Sequence, residues 1–209
     1  MSRHPRRDLL SEERRQFLRH AGVSVASLAG ISACGPGVQF CPDPGDSCQL
    51  TPDNPEGPYY RAGAPEREDF NVLSRPGDAL RFGGRVLSSD CRTPIEGAVL
   101  DVWHADGDGI YDLDTDQYGL RGRVTTSAGG EFKINTVMPG PYWFGNMPRA
   151  RHVHVRLTAP GHNPLTTQLY FEGDPWIERD LQFKCGLTML VQKQSDRLVA
   201  EYVFVLPRA

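Results

Sequence analysis

Six histidines are present, and four of them lie past residue 100: His104, His152, His154 and His162. His152 and His154 stand two apart in the run His152-Val153-His154-Val155. Along an extended chain successive side chains point to opposite faces, so both imidazoles share one face and Val153 and Val155 turn to the other, toward a core. Two imidazoles on one strand face can share a metal ion. They can equally be solvated histidines on a polar sheet face, and these residues alone leave both readings open. A zinc hydrolase built on the pair lacks a nearby third His or carboxylate at a recognisable spacing. Asp106, Asp108, Asp112, Asp114 and Asp116 form an acidic run, but a calcium loop counted from Asp106 would need Asp or Asn where Ile110 stands and Gly where Tyr111 stands. The run therefore reads as a solvated loop. His104, beside Trp103, reads as packed or hydrogen-bonded, and His162, after Pro160-Gly161, as a turn residue. The chain has no nucleophile elbow and no phosphate-binding glycine loop.

The elements that must hold these side chains read as strands. The 209 residues amount to one domain, or one domain with tails, and 22 Gly with 17 Pro favour turns and short strands over long helices. Strand-like runs fall at 81–87, 98–103, 122–126, 131–137, 152–158, 165–171 and 198–206, with Ser127-Ala128-Gly129-Gly130 as a hairpin turn. Pro94, Pro139, Pro141, Pro148, Pro160, Pro164 and Pro175 fall between the runs, where a missing N–H does no harm. The pattern alone suggests an all-β sandwich or barrel over 67–209. A formal net charge of −3 argues against a general nucleic-acid binder, which needs a basic surplus.

Several further motifs recur in order: Thr51-Pro52-Asp53-Asn54-Pro55-Glu56-Gly57-Pro58-Tyr59-Tyr60, Trp103-His104-Ala105-Asp106 through Tyr111-Asp112, and Arg121-Gly122 with Thr125 and Gly130-Glu131-Phe132. They continue as Val137-Met138-Pro139-Gly140-Pro141-Tyr142-Trp143, Arg149-Ala150-Arg151-His152-Val153-His154, Ala159-Pro160-Gly161-His162 and Thr166-Thr167-Gln168-Leu169-Tyr170-Phe171. Over about residues 51–174 the sequence resembles the intradiol ring-cleavage dioxygenases, non-haem ferric enzymes that open catechols. The resemblance implies the all-β, two-sheet β-sandwich of that family over 67–209, Fe(III) as cofactor, and Tyr111, Tyr142, His152 and His154 as its ligands. Phenolate is a hard anionic donor suited to Fe(III), and imidazole suits iron as well. A ligating tyrosine must lose a proton whose ordinary pKa is about 10, so the metal must drive that ionisation. The resemblance further implies catalytic roles for three residues. Tyr142 leaves as the diol binds and takes up a substrate proton, Arg149 stabilises negative charge developing on the substrate, and Gln168 positions groups near the iron. The implied partners are a small aromatic diol and O2, and the implied product is a cis,cis-muconate-type diacid. The rival reading is a non-catalytic metal-binding or binding-type β-sandwich lipoprotein.

The sequence departs from the family pattern in places. Ala150-Arg151 stand where Pro-Ala is common, and Trp143 stands where Pro is common. Arg151 adds a second positive charge near the site unless it points away. The helical domain by which the catechol and hydroxyquinol enzymes dimerise is not expected here.

Residues 1–33 read as an address. Arg14-Arg15-Gln16-Phe17-Leu18-Arg19 resembles a twin-arginine motif, and 21–33 is an uncharged run too short to span a bilayer. Ile31-Ser32-Ala33-Cys34-Gly35 resembles a lipobox, which implies lipidation of Cys34 and a membrane anchor on the periplasmic side or cell surface. Residues 34–66 are then a Pro/Gly-rich linker and lead-in. With Cys34 acylated, four cysteines remain and allow three pairings; Cys41 with Cys48 and Cys91 with Cys185 is the first guess, and the sequence leaves the choice open.

Overall fold

The computed structural model describes residues 48–209. The expected signal peptide, Cys34 and Cys41 lie outside the described residues. Eleven strands follow in chain order: β1 (Ala79–Ser88), β2 (Val99–Trp103), β3 (Arg121–Thr125), β4 (Glu131–Val137), β5 (Tyr142–Phe144), β6 (Met147–Arg149), β7 (His152–Thr158), β8 (Leu165–Phe171), β9 (Thr188–Met189), β10 (Val191–Gln194) and β11 (Arg197–Leu206). The only helical turn among the described residues is a 3-10 turn, Ile177–Arg179. One sheet has four strands in the order β10-β11-β1-β4, the other has five in the order β3-β2-β7-β8-β9, and β5-β6 form a separate ribbon. The expected all-β, two-sheet sandwich is the fold observed.

Alternation builds the core. Leu80, Phe82 and Val86 of β1 join Leu100 and Val102 of β2 and Val153 and Val155 of β7 in one buried cluster. Each such side chain contributes about 1.5–3 kcal/mol by leaving water. On β7, Val153 and Val155 are in the core as the period of two requires. The histidine face is also buried, because other segments of the same chain cover it.

Part of that cover is the lead-in. Residues 51–66 carry no strand, yet Thr51 N–H donates to Val205 O, Asn54 N–H to Thr166 O and the Asn54 side-chain amide to Gln182 O. The segment is thereby fastened along β8, β11 and the 180–187 loop.

The first-guessed cysteine pairing is not what forms. Cys48 is bonded to Cys91, with Cα atoms 5.7 Å apart, and Cys185 is bonded outside this pair. The reason is local: Cys91 takes a left-handed conformation (φ +56°) in the turn after β1, where the start of the lead-in passes. Neither Cys41–Cys48 nor Cys91–Cys185 can then exist. A bridge closing 43 residues is worth about 4 kcal/mol in lost unfolded-chain entropy.

Candidate metal and active site

Two neighbouring strand ends and two loops meet at the site. β7 supplies both histidines from one face. Trp103, at the end of β2, pairs in register with His154, and its ring stacks on the imidazole at 4.9 Å with an interplanar angle of 4°. Tyr111 comes from the long loop between β2 and β3, and Tyr142 opens β5 opposite Arg149 on β6. The loop and the ribbon touch because glycine lets them. A Cβ on Gly140 would fall 2.2 Å from the Gly107 carbonyl oxygen, and Gly140 N–H donates to Asp106 O at 2.7 Å.

The acidic run, expected to be solvated, is in part structural. Asp106 and Asp112 are buried while Asp108, Asp114 and Asp116 are exposed. Asp106 Oδ1 accepts the N–H groups of Asp108 and Ile110, and Asp112 accepts those of Thr115 and Gly119. These two carboxylates fold the chain on either side of Tyr111. Arg121, also buried, donates to Asp112 O and Tyr59 O, and Tyr59 stacks on Tyr111 at 4.4 Å. Sequence reasoning missed this bracing, since its partners are set by loop folding and not by spacing.

Four donor atoms converge. The Tyr111 hydroxyl lies 3.3 Å from His152 Nε2 and 3.1 Å from His154 Nε2, the two Nε2 atoms are 3.1 Å apart, and the Tyr142 hydroxyl is 3.5 Å from His152 Nε2. Donors bound to one ion at about 2.0–2.1 Å stand about 2.9–3.4 Å from each other, so the set fits a single metal ion. The donor chemistry, two imidazoles and two phenols, fits iron. No cluster of three or more His, Cys, Asp or Glu exists among the described residues, so tyrosines are needed to complete any site on His152 and His154.

The imidazoles are poised as ligands. His152 Nδ1–H donates to Ala150 O at 2.6 Å, which leaves the Nε2 lone pair facing the site. His154 Nδ1 is buried without a partner, and the ring is held instead by Trp103 and by Gly57, whose positive φ lays the lead-in 3.3 Å (Cβ position) from His154 Cε1. Burial pushes His152 down to about 3, helped by the charge of Arg149, and pushes His154 well below its ordinary value. Burial raises both tyrosines, Tyr111 strongly, so the phenols stay protonated until a cation draws the proton off.

His104 is packed as expected, with Nδ1 2.7 Å from Ala105 O and Nε2 2.7 Å from Thr136 Oγ1, and burial lowers it to about 4. His162 lies in its turn, with Nδ1 2.7 Å from Pro160 O.

Three imidazoles buried in the neutral state make the metal-free fold acid-sensitive. Their folded values lie below the ordinary 6.5, so on acidification the unfolded chain takes up protons first. Stability is fully present above about 6.5 and is lost as pH falls from there toward about 4. Urea midpoints of metal-free protein at pH 7, 6 and 5 should decrease with a slope of up to three protons. A midpoint unchanged across that range would contradict the buried, neutral state.

Arg149 and Gln168 sit behind the donors. The Arg149 guanidinium is 5.9 Å from the Tyr142 ring centroid, and its Nη2 donates to Gln168 Oε1 at 2.5 Å. Gln168 also accepts from the Tyr170 hydroxyl and donates to Pro55 O, so its amide is engaged by protein at both ends. Burial alone would weaken the Arg149 charge, but Asp180 together with Tyr142 and Tyr170 more than offsets this. Arg151 points away, with a half-exposed side chain 3.9 Å from Asp174. Trp143 is 60% exposed and packs edge-on against Trp176, on the side of the ribbon away from Tyr142.

Known proteins resemble this chain in sequence and in fold. A family model described as dioxygenase matches residues 55–207. A chlorocatechol 1,2-dioxygenase of a Pseudomonas species is 33% identical over 179 residues, covering 74% of this chain and 69% of that protein. The chain belongs to the intradiol dioxygenase family. Another family member, the chlorocatechol 1,2-dioxygenase of Rhodococcus opacus, is 38% identical over 149 residues, covering 60% of this chain and 58% of that protein, so the match spans little more than half the relative's length. Among solved structures, 3-chlorocatechol 1,2-dioxygenase from Rhodococcus opacus superposes with a TM-score of 0.70 at 27% identity, covering 76% of this chain and 73% of that chain. The dioxygenase domain of a dioxygenase carbohydrate-binding protein fusion from the cellulolytic bacterium Streptomyces sp. SirexAA-E superposes with a TM-score of 0.69 at 37% identity. It covers 77% of this chain and 100% of that chain. Family membership accounts for the shared sandwich.

Proposed function

We propose that the domain is a non-haem Fe(III)-dependent intradiol dioxygenase. It would cleave a catechol-type diol with O2 between the two hydroxyl-bearing carbons, and both oxygen atoms would enter the cis,cis-muconate-type diacid. The observation that carries the reading is the convergence of two phenol oxygens and two imidazole nitrogens within 3.1–3.5 Å. The catechol substrate class is taken from the chlorocatechol and catechol 1,2-dioxygenases among the relatives.

Tyr111, Tyr142, His152 and His154 would hold the iron. When bound, the ferric ion supplies the Lewis acidity that draws protons from phenols and diol and the electron-accepting partner that lets the ring react with O2. The remaining work falls to the chain. His152 and His154 offer neutral lone pairs at physiological pH and need not first lose protons. Tyr111 is buried and braced by Asp106, Asp112 and Tyr59, so it stays in place. Tyr142 is only partly buried and lies farthest from its histidine neighbour, so its Oη is the donor free to swing away and accept a diol proton. Arg149 offers a permanent charge and directional N–H groups to negative charge that develops on the diol. The lead-in, laid over His154, keeps water from that side.

Oxygen uptake over a panel of catechol, protocatechuate, hydroxyquinol and chlorocatechols tests the reading. The expected result is one O2 consumed per diol with a diacid product; uptake that yields hydrogen peroxide and a quinone would contradict it.

We also propose twin-arginine export and a lipid anchor at Cys34. The Cys48–Cys91 disulfide supports an oxidising compartment. The intact mass of the mature chain reads the outcome: a start at Cys34 carrying diacylglycerol is expected, and retention of residues 1–33 would contradict it.

A further inference from the structure

Arg149 is held by a residue no motif pointed to. Asp180 closes the 3-10 turn Ile177–Arg179, and its side chain is fully shielded from solvent. Both carboxylate oxygens approach Arg149 Nε, at 3.1 and 3.0 Å. The same oxygens accept the N–H of Gln182 at 2.9 Å and of Ala150 at 3.0 Å. A buried carboxylate is costly unless its lone pairs are all engaged, and here they are. Gln168 takes Arg149 Nη2 from the other side. These bonds fix the plane of the guanidinium and leave Nη1 outside them, with the guanidinium carbon 5.9 Å from the Tyr142 ring centroid.

We propose that Asp180 is a positioning residue: with Gln168 as a second clamp, it aims the Arg149 guanidinium at the bound diol and acts on ring cleavage through Arg149. The inference rests on the ring-cleaving reaction proposed above. It also makes specific the positioning role implied for Gln168, since the amide contacts Arg149, Tyr170 and Pro55. A guanidinium aimed in advance loses little freedom when charge develops on the substrate, so the clamp should favour the transition state over the bound ground state. The purely structural alternative runs through Ala150, whose carbonyl orients His152.

Asp180→Asn keeps the shape and one acceptor oxygen, which can still serve the Ala150 N–H, but loses the charge at Nε. Gln168→Met removes the other clamp and leaves the Asp180 contacts untouched. In iron-loaded full-length protein, each should lower kcat by about 10- to 100-fold with little change in KM or in iron content. In an Arg149→Met background each should change kcat by less than about twofold, because residues acting as one unit are not additive. Losses that multiply in the double variants would overturn the inference, and so would loss of iron in both single variants. Should Asp180→Asn alone lose iron, the Gln168→Met cycle decides by the same criterion. If the wild-type chain cleaves no diol, the proposed function fails and this inference with it. If it cleaves diols and the cycles are additive, this inference alone fails.

Discussion

Replacing His152 by Ala is expected to abolish iron retention and ring cleavage together. His152 Nε2 is the hub of the donor set, within 3.5 Å of the donor atoms of Tyr111, Tyr142 and His154. Its ring is oriented by the Ala150 carbonyl and buried, so no nearby side chain can swing in to replace it. Removing an outer partner of a ligand costs about 10- to 100-fold in affinity or activity, and removing the ligand itself should exceed that range. The measurement is iron per chain by atomic absorption, with oxygen uptake on the same sample and circular dichroism to verify the fold. A folded His152→Ala protein that keeps one iron per chain, or measurable turnover, would contradict the assignment.

Tyr142→Phe should separate the two quantities that His152→Ala removes together. The ring keeps its place on β5 and only the hydroxyl is lost. Tyr111, His152 and His154 are mutually closer, at 3.1–3.3 Å, than Tyr142 is to His152, at 3.5 Å, so the other three donors should retain most of the iron. Turnover should nevertheless fall by about 10²- to 10⁴-fold, the usual cost of losing a positioned proton acceptor. The check is kcat measured per iron atom. A loss of activity that merely tracks loss of iron would reduce Tyr142 to a ligand, and unchanged activity would leave it without a role in the reaction.

The fold was largely legible because its strands alternate or end in recognised turns. The runs at 131–137, 152–158 and 165–171 coincide with β4, β7 and β8, and those at 81–87 and 198–206 lie within β1 and β11. The strands that went unread lack that signal. β5 and β6 have three residues each, with Pro148 in β6, and β10 is a mostly exposed Val-Gln-Lys-Gln edge with no apolar face. At the site, the shared face of His152 and His154 followed from the period of two. Their burial did not, because it depends on Trp103 and on a lead-in about 100 residues upstream. Tyr111 and Tyr142 have no periodic signature: one lies in a loop and the other opens a three-residue strand. They were found only through resemblance to a family. Asp180, 31 residues from Arg149 in sequence, was invisible for the same physical reason. A contact between a turn and a distant strand end leaves no spacing to read. The cysteine pairing failed likewise, since proximity was set by where the lead-in crosses the end of β1.

The central claim is that two tyrosines and two histidines hold one ferric ion that a diol can reach. The most direct measurement is the visible spectrum of the purified, iron-loaded chain before and after anaerobic addition of catechol. A tyrosinate-to-Fe(III) charge-transfer band is expected, and it should shift to longer wavelength when the diol binds. Once O2 is admitted, the band should return to its original position as the diol is converted to the diacid. A colourless protein that binds zinc in preference, or an iron protein whose band is indifferent to catechol, would contradict it.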